Sequence, residues 1–210
     1  MRALQSPQEF SAPPLFVFDL DSTVTGCELL PRLARAAGVE AEMRLRTERC
    51  MAGDSSFAQD FPSRVEMLSA LPLSRAREIA AGIPLNPRIA EFLRAHPQRS
   101  MILTGNLDVW IAPILARLNM TGRCLSSRAR VEGDRVCGVA RLLDKDIAAQ
   151  TLPRPFIAIG DGDNDVGMLR AANLSIAFGG VRRPASRVID AAQLYIQDEA
   201  ALCALLARYL

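Results

Sequence analysis

Apolar residues in this chain come in two rhythms. Between residues 28 and 81 they recur every three or four positions: Leu29, Leu30, Leu33 and Ala37 lie along one side of a stretch stopped by Gly38, and Phe57, Phe61, Val65 and Leu68 follow at intervals of four, four and three. That is the spacing of one helical face, and it predicts helices over 28–37, through Met51, and from Phe57 to Leu68, with no strand between them. Ser74 is a candidate cap for a further helix to Ala81, and Asn86-Pro87 supplies N-cap and first-turn residues for a helix carrying Ile89, Phe92 and Leu93. Elsewhere the apolar residues cluster in short, mostly apolar runs, at 16–18, 100–103, 156–159, 174–178 and 194–196, which read as buried strands. Helices are expected over 108–118, through Leu169, and over 199–209 with Leu202, Leu205 and Leu206 inward; a β-hairpin is expected over 129–139, turning at Gly133-Asp134. Alternation of strand and helix implies an α/β fold, a doubly wound, mostly parallel sheet with helices on both faces. The helical block after the first strand is then an insertion. Residues 1–24 and 86–210 form the core domain and residues 25–85 the inserted helical one.

Composition narrows the class. A chain of 210 residues, half of them hydrophobic and 23% charged, has the make-up of an ordinary globular protein. Its net charge of +2 is spread without a basic tract, so neither nucleic acid nor an anionic membrane is an expected partner. The first fourteen residues lack a secretory pattern, and no apolar stretch approaches the roughly eighteen residues of a membrane span, so the expected location is cytoplasmic. The five cysteines are scattered and never spaced as CxxC, which fits free thiols better than disulfides or zinc ligands. The single histidine, His96, precedes Pro97 with no Cys or Ser nearby, which removes histidine-based triads. Every basic residue but Lys145 is arginine; a position that keeps a compact ammonium in that background is a candidate for point-charge chemistry.

Four stretches carry candidate chemistry. The run Phe16-Val17-Phe18 ends in Asp19-Leu20-Asp21-Ser22-Thr23, two carboxylates that a turn can bring to one centre from different directions, as suits one nucleophile and one acid/base. The run Ile102-Leu103 ends in Thr104-Gly105-Asn106, a hydroxyl and an open backbone N–H able to bind an anion. Lys145 stands near the start of an expected helix through Leu152. The run Ile157-Ala158-Ile159 ends in Gly160-Asp161-Gly162-Asp163-Asn164-Asp165. A calcium loop is excluded there, because Val166 occupies the glycine position and Ala172 the position of the closing glutamate. Hard oxygen ligands at a strand's carboxy end suit Mg²⁺ instead.

The order Asp-x-Asp, Thr-Gly, Lys, Gly-Asp-x-x-x-Asp resembles the haloacid dehalogenase superfamily, whose four motifs are matched between Asp19 and Asp165. Response-regulator receivers use similar residues, but their metal-binding acids come first in the chain. The insertion resembles the cap of the phosphoserine phosphatases: Glu28 lies seven residues after Asp21 and is followed by Met51, Phe57 and Arg64, the substrate-pocket positions of that family. The core sequence departs from it at Thr104-Gly105-Asn106, where the family usually has Ser-Gly-Gly, and in a short interval from Lys145 to Asp161.

The resemblance implies a Rossmann-like core with a small helical cap, and a Mg²⁺-dependent phosphomonoesterase working through an aspartyl-phosphate. Asp19 is then the nucleophile and Asp21 the general acid and base. Mg²⁺ is expected on Asp19, Asp161 and the Asp21 backbone carbonyl, with Asn164 and Asp165 behind them. Thr104, Gly105 and Lys145 surround the phosphate. Glu28, Met51, Phe57 and Arg64 are expected to read a small phosphorylated metabolite, O-phosphoserine first. Alternatives are a phosphotransferase passing phosphate to an alcohol such as homoserine, a phosphatase of another small metabolite, and a phosphate-ligand sensor or interaction module without turnover.

Overall fold

The structure is a computed structural model that describes residues 9–51 and 57–210, and the side chains of 9–46 and 57–210 among them. In chain order its elements are β1 (Leu15–Phe18), α1 (Leu29–Ala37), α2 (Glu40–Met51), α3 (Phe57–Met67), α4 (Leu73–Ala81), α5 (Pro87–Ala95), β2 (Ser100–Leu107), α6 (Asp108–Arg117), β3 (Cys124–Glu132), β4 (Arg135–Arg141), α7 (Lys145–Gln150), β5 (Phe156–Gly160), α8 (Val166–Ala171), β6 (Leu174–Phe178), α9 (Ser186–Ala191), β7 (Leu194–Ile196) and α10 (Glu199–Ala207). The strands form one sheet in the order β4-β3-β2-β1-β5-β6-β7. All neighbours are parallel except β3 and β4.

Alternation along the buried strands sorts side chains to two cores. Phe16, Phe18, Ile157 and Ile159 face one side, with Ile89 and Leu93 of α5, Trp110 and Ile114 of α6, and Leu202 and Leu206 of α10. Val17 and Ala158 face the other, against Ala148 and Ala149 of α7, Met168 and Leu169 of α8, and Val188 of α9. The doubly wound sheet expected from the sequence is the one formed, and β1 lies between β2 and β5, where the chain's winding reverses. Loops after those three strands therefore converge on one crevice.

The helical insertion is closed at its root. Thr25 and Leu85 form an antiparallel bridge, the Gly26 N–H donates to the Pro84 carbonyl at 2.8 Å, and the Asn86 N–H donates to the Val24 carbonyl at 2.9 Å. The Asn86 side chain adds a bond to the Thr23 carbonyl at 2.8 Å. Above this root α4 lies against α6, and α3 touches β4.

Several local expectations change. Ser74 does not cap α4: Pro72 holds that position, and the Ser74 N–H and hydroxyl donate to the Asp134 carboxylate at 2.8 and 2.6 Å. Asn86 does stand at the N-cap of α5, but its side chain serves the root, and Glu199 of α10 accepts from the Arg88 N–H at 2.9 Å instead. The hairpin turns at Gly133-Asp134 as expected, yet its first strand begins at Cys124 and pairs with β2 before it meets β4. Helix α9 was not anticipated. Four cysteines, Cys27, Cys124, Cys137 and Cys203, are free thiols; the side chain of Cys50 lies outside the described residues.

Candidate active site

The crevice is about 640 Å³ and is lined by Asp19, Asp21, Glu28, Phe57, Arg64, Thr104, Gly105, Asp161 and Asn164 among others. Nine of the candidates read from the sequence are thus brought together at its wall. Lys145 and Asp165 lie beneath, 4% and 0% exposed. Met51 ends α2, and its side chain lies outside the described residues.

Asp19 directly follows β1, its N–H held by the Ile159 carbonyl at 2.8 Å. The chain then turns sharply: Ser22 takes a left-handed conformation at φ 58°, and the buried Thr25 hydroxyl bonds the Leu20 and Cys27 carbonyls at 3.1 and 2.7 Å. This turn separates the two carboxylates. Asp19 Oδ1 accepts from Lys145 Nζ, which also donates to Asp165 Oδ1 at 2.6 Å. Asp21 points elsewhere, accepting the Leu29 N–H at 2.8 Å and Asn106 Nδ2 at 2.5 Å.

Asp165 organises the loop after β5. Its Oδ2 accepts the Asp161 and Gly162 N–H groups at 3.1 and 2.9 Å. Asp161 receives the Thr23 hydroxyl at 3.2 Å and Arg182 Nε at 3.1 Å. Ligand atoms of Asp19, Asp161 and Asp165 all lie within 4.8 Å of one another, a buried all-oxygen set of the kind that holds a hard divalent cation. Burial, then the Asp165 charge, pushes Asp161 up to about 7, against the pull of Arg182 and Thr23. Burial also holds Asp19 well above the ordinary carboxylate range, with Asp165 adding to it and Lys145 opposing. Lys145 is raised and stays charged, because the carboxylates of Asp165 and Asp19 outweigh the effect of its burial. Asp21 is pushed up to about 6 by burial, the Leu29 N–H working against it. A bound cation would reverse the first two shifts by supplying the missing positive charge.

The insertion forms the roof. Phe57 stacks on Phe61 with ring centroids 4.9 Å apart and presses on Gly105, where an added Cβ would lie 2.5 Å from the ring. A glycine is required there by contact, whatever its backbone does for an anion. Arg64 donates Nε to Asp60. Glu28, at the start of α1, pairs with Arg182 at 2.9 Å.

Three participants were missed in the sequence or assigned no contact. Arg182 follows β6 and Gly179-Gly180, another apolar strand ending in glycines, and that punctuation was the available signal. Asp60 stands one helical turn before Arg64 and could have been paired with it by spacing alone. Asn106 was visible only as a departure from Ser-Gly-Gly. It continues β2 and turns its amide to Asp21, while its buried Oδ1 finds no partner among the described residues.

A mostly parallel sheet whose three central strands deliver two distinct carboxylates, a hydroxyl beside a glycine and a buried acidic cluster to one crevice, with a lysine beneath, defines a phosphoryl-transfer hydrolase. Family descriptions reading haloacid dehalogenase-like hydrolase match residues 16–170 and 149–199. The chain belongs to that family and is a phosphatase within it. Among its relatives is a phosphoserine phosphatase of Halobacterium salinarum, 34% identical over 177 residues, 77% of this chain and 84% of the relative. The phosphoserine phosphatase SerB2 of Mycobacterium tuberculosis is 32% identical over 86% of this chain, but the chain spans only 47% of that protein's length. A solved structure described as a phospho-aspartyl intermediate analogue of phosphoserine phosphatase superposes with a TM-score of 0.75 at 26% identity, covering 88% of this chain and 93% of that one. No helix among the described residues is long and apolar enough to cross a membrane.

Proposed function

We propose that the protein hydrolyses a small phosphomonoester, O-phosphoserine, through a phosphorylated Asp19, with Mg²⁺ as cofactor. The observation that carries this is the different setting of the two carboxylates one residue apart. Asp19 faces Lys145 and the acidic cradle, while Asp21, pushed up to about 6, faces Asn106 and the Leu29 N–H. Two carboxyl groups in unlike environments divide the roles of nucleophile and acid/base.

In the first half-reaction an Asp19 oxygen forms a bond to phosphorus as the ester P–O bond breaks, and Asp21 gives its proton to the departing alkoxide. In the second, Asp21 takes a proton from water as that water attacks phosphorus, the Asp19–phosphorus bond breaks, and inorganic phosphate leaves. An anionic nucleophile approaching a phosphate dianion requires positive charge, and Lys145 with the Thr104 hydroxyl and the Gly105 N–H supply part of it. Mg²⁺, held by Asp19, Asp161 and the Asp21 carbonyl, would neutralise the rest. Asp165 keeps Lys145 and the loop after β5 in place, with Asn164 supporting that loop.

Residues 25–85 act as the cap over a core of 1–24 and 86–210. Its residues read the leaving group: Arg64 takes the serine carboxylate, and Glu28, one oxygen already on Arg182, offers the other to the ammonium. Phe57 is the apolar wall between them, Met51 being assigned there by resemblance alone. The enzyme is read as cytoplasmic, acting on a small metabolite rather than on nucleic acid or a membrane; four free thiols fit a reducing compartment. The support from relatives is that the Halobacterium and Mycobacterium proteins are phosphoserine phosphatases.

The test is phosphate release from O-phosphoserine and from an aryl phosphate, with and without Mg²⁺. A Mg²⁺-dependent preference for O-phosphoserine is expected, reduced about tenfold or more in Glu28→Gln and in Arg64→Ala while aryl phosphate is spared. Equal effects on both substrates would refute the assignment of substrate. Phosphate appearing on added homoserine would redirect the reading to a phosphotransferase.

A further inference from the structure

Helix α3 carries a buried carboxylate that the phosphoryl chemistry does not use. Asp60 is 7% exposed, accepts Nε of Arg64 one turn further on, and has Arg46 of α2 at 3.8 Å from its other oxygen. The closer pair is sequestered, its side chains 8% and 12% exposed. An acidic side chain there stands in the first turn of the helix, with the arginine four residues later, the favourable order for such a pair.

The manner of contact is informative. Arginine has five donors in a planar fork, and Asp60 occupies the single Nε–H, so the terminal Nη edge remains for a second, bidentate acceptor. Arg64 itself lines the crevice. Two guanidiniums share one carboxylate, so the group keeps a net positive charge and still attracts an anion. Rotamer freedom that a lone arginine would lose on binding is already lost in the free enzyme, the condition under which a polar contact adds most to affinity.

We infer that Asp60 is a positioning residue for substrate specificity: it fixes Arg64 by Nε and leaves the Nη edge to take a substrate carboxylate. This rests on the phosphoserine reading above. Without Asp60 the guanidinium would lose the partner that fixes it, and would turn toward water rather than stay at the crevice wall.

O-Phosphoserine and O-phosphoethanolamine differ only in the carboxylate, so the ratio of their kcat/KM values reads this contact alone. Arg64→Ala should collapse that ratio. Asp60→Ser should lower it about tenfold or more through a raised KM for O-phosphoserine, leaving kcat and the O-phosphoethanolamine values near wild type. Asp60→Asn, which keeps an acceptor for Nε–H, should restore most of the ratio. A role confined to stability would lower the melting temperature of the Ser variant without moving the ratio. Should Asp60→Ser not fold, Asp60→Glu retains the charge, displaces the clamp by one methylene and should also lower the ratio. If Arg64→Ala collapses the preference and the Ser and Glu variants keep it, the assignment of Asp60 fails alone. If the wild type shows no preference, the phosphoserine reading fails and takes this assignment with it.

Discussion

Replacing Lys145 by methionine keeps an unbranched apolar stem but deletes the ammonium between Asp19 and Asp165. The three side chains are 2%, 8% and 0% exposed, so water cannot take over the vacated role. Breaking a buried pair by removing one partner costs about 3–5 kcal/mol. In a chain of this size each kcal/mol moves the melting temperature by about 2–4 °C, so a fall of roughly 6–20 °C is expected at pH 8 without added metal. The pH dependence has a definite sign. Asp19 is already held well above the carboxylate range, chiefly by burial, and Lys145 is what opposes that rise. In its absence the folded chain binds a proton on Asp19 that the unfolded chain releases, so the deficit shrinks as pH falls from 8 toward 5. Turnover should fall about a hundredfold to a thousandfold, the loss typical of one preorganised donor. Lys145→Arg keeps the charge but not the shape, and should be severely impaired as well, since a forked guanidinium does not fit the slot of an ammonium between two carboxylates. Thermal unfolding at pH 5 and pH 8, with phosphate release by each variant, checks both parts. Wild-type turnover in Lys145→Arg, or wild-type melting of Lys145→Met at pH 8, would refute the reasoning.

Asp19→Asn should abolish both turnover and trapping of an acyl-phosphate, whereas Asp21→Asn should slow both half-reactions and leave Mg²⁺ binding intact; near-normal turnover by Asp19→Asn would mean direct attack by water. Gly105→Ala should cost about 1–3 kcal/mol by overpacking against Phe57, measured as a drop in melting temperature that disappears in a Phe57→Leu background. Persistence of the drop there would show that Gly105 answers to something other than the ring. The raised carboxylates, Asp21 at about 6 and Asp161 at about 7, bind protons in the folded chain that the unfolded chain has already released, so their contribution to stability is lost as pH rises from about 4 through 7. A divalent cation competes with those protons, and Mg²⁺ should therefore raise the melting temperature more at pH 8 than at pH 5. Equal gains at the two pH values would count against a carboxylate site.

The parts of the fold legible in the sequence were those whose own composition was extreme. Strands β1 and β5 are buried and read as unbroken apolar runs, and β6 is interrupted only by the single Ser175; α1 and α3 have a clean apolar stripe. The start of β3 was lost because Ser126 and Ser127 break its apolar run, although both are buried and the Ser127 hydroxyl accepts the Leu143 N–H at 3.0 Å. Helix α9 is too short, and too rich in charge, to show a stripe. The site divides in the same way. Groups at strand ends announce themselves because polar residues abruptly follow apolar ones, and the sheet then brings them together. Partners such as Arg182 cannot be read locally, since the bonds to Asp161 and Glu28 span 21 and 154 positions and depend on how β6 lies beside β5. Asn106 shows a subtler loss: its identity was evident, but its bond to Asp21 requires the register of β1 against β2.

The pairing of 24–26 with 84–86 has a consequence for length. A segment whose two ends are hydrogen-bonded to each other enters the rest of the chain as a turn does, at one point and with one separation, whatever lies between. Each doubling of such a loop adds only about 0.6 kcal/mol of closure entropy. Residues could therefore be gained or lost within the insertion without shifting the registers of β1 against β2 and β5 that set the two carboxylates. The volume and chemistry of the roof can drift in this arrangement while the floor stays fixed, so substrates can be exchanged under an unchanged reaction.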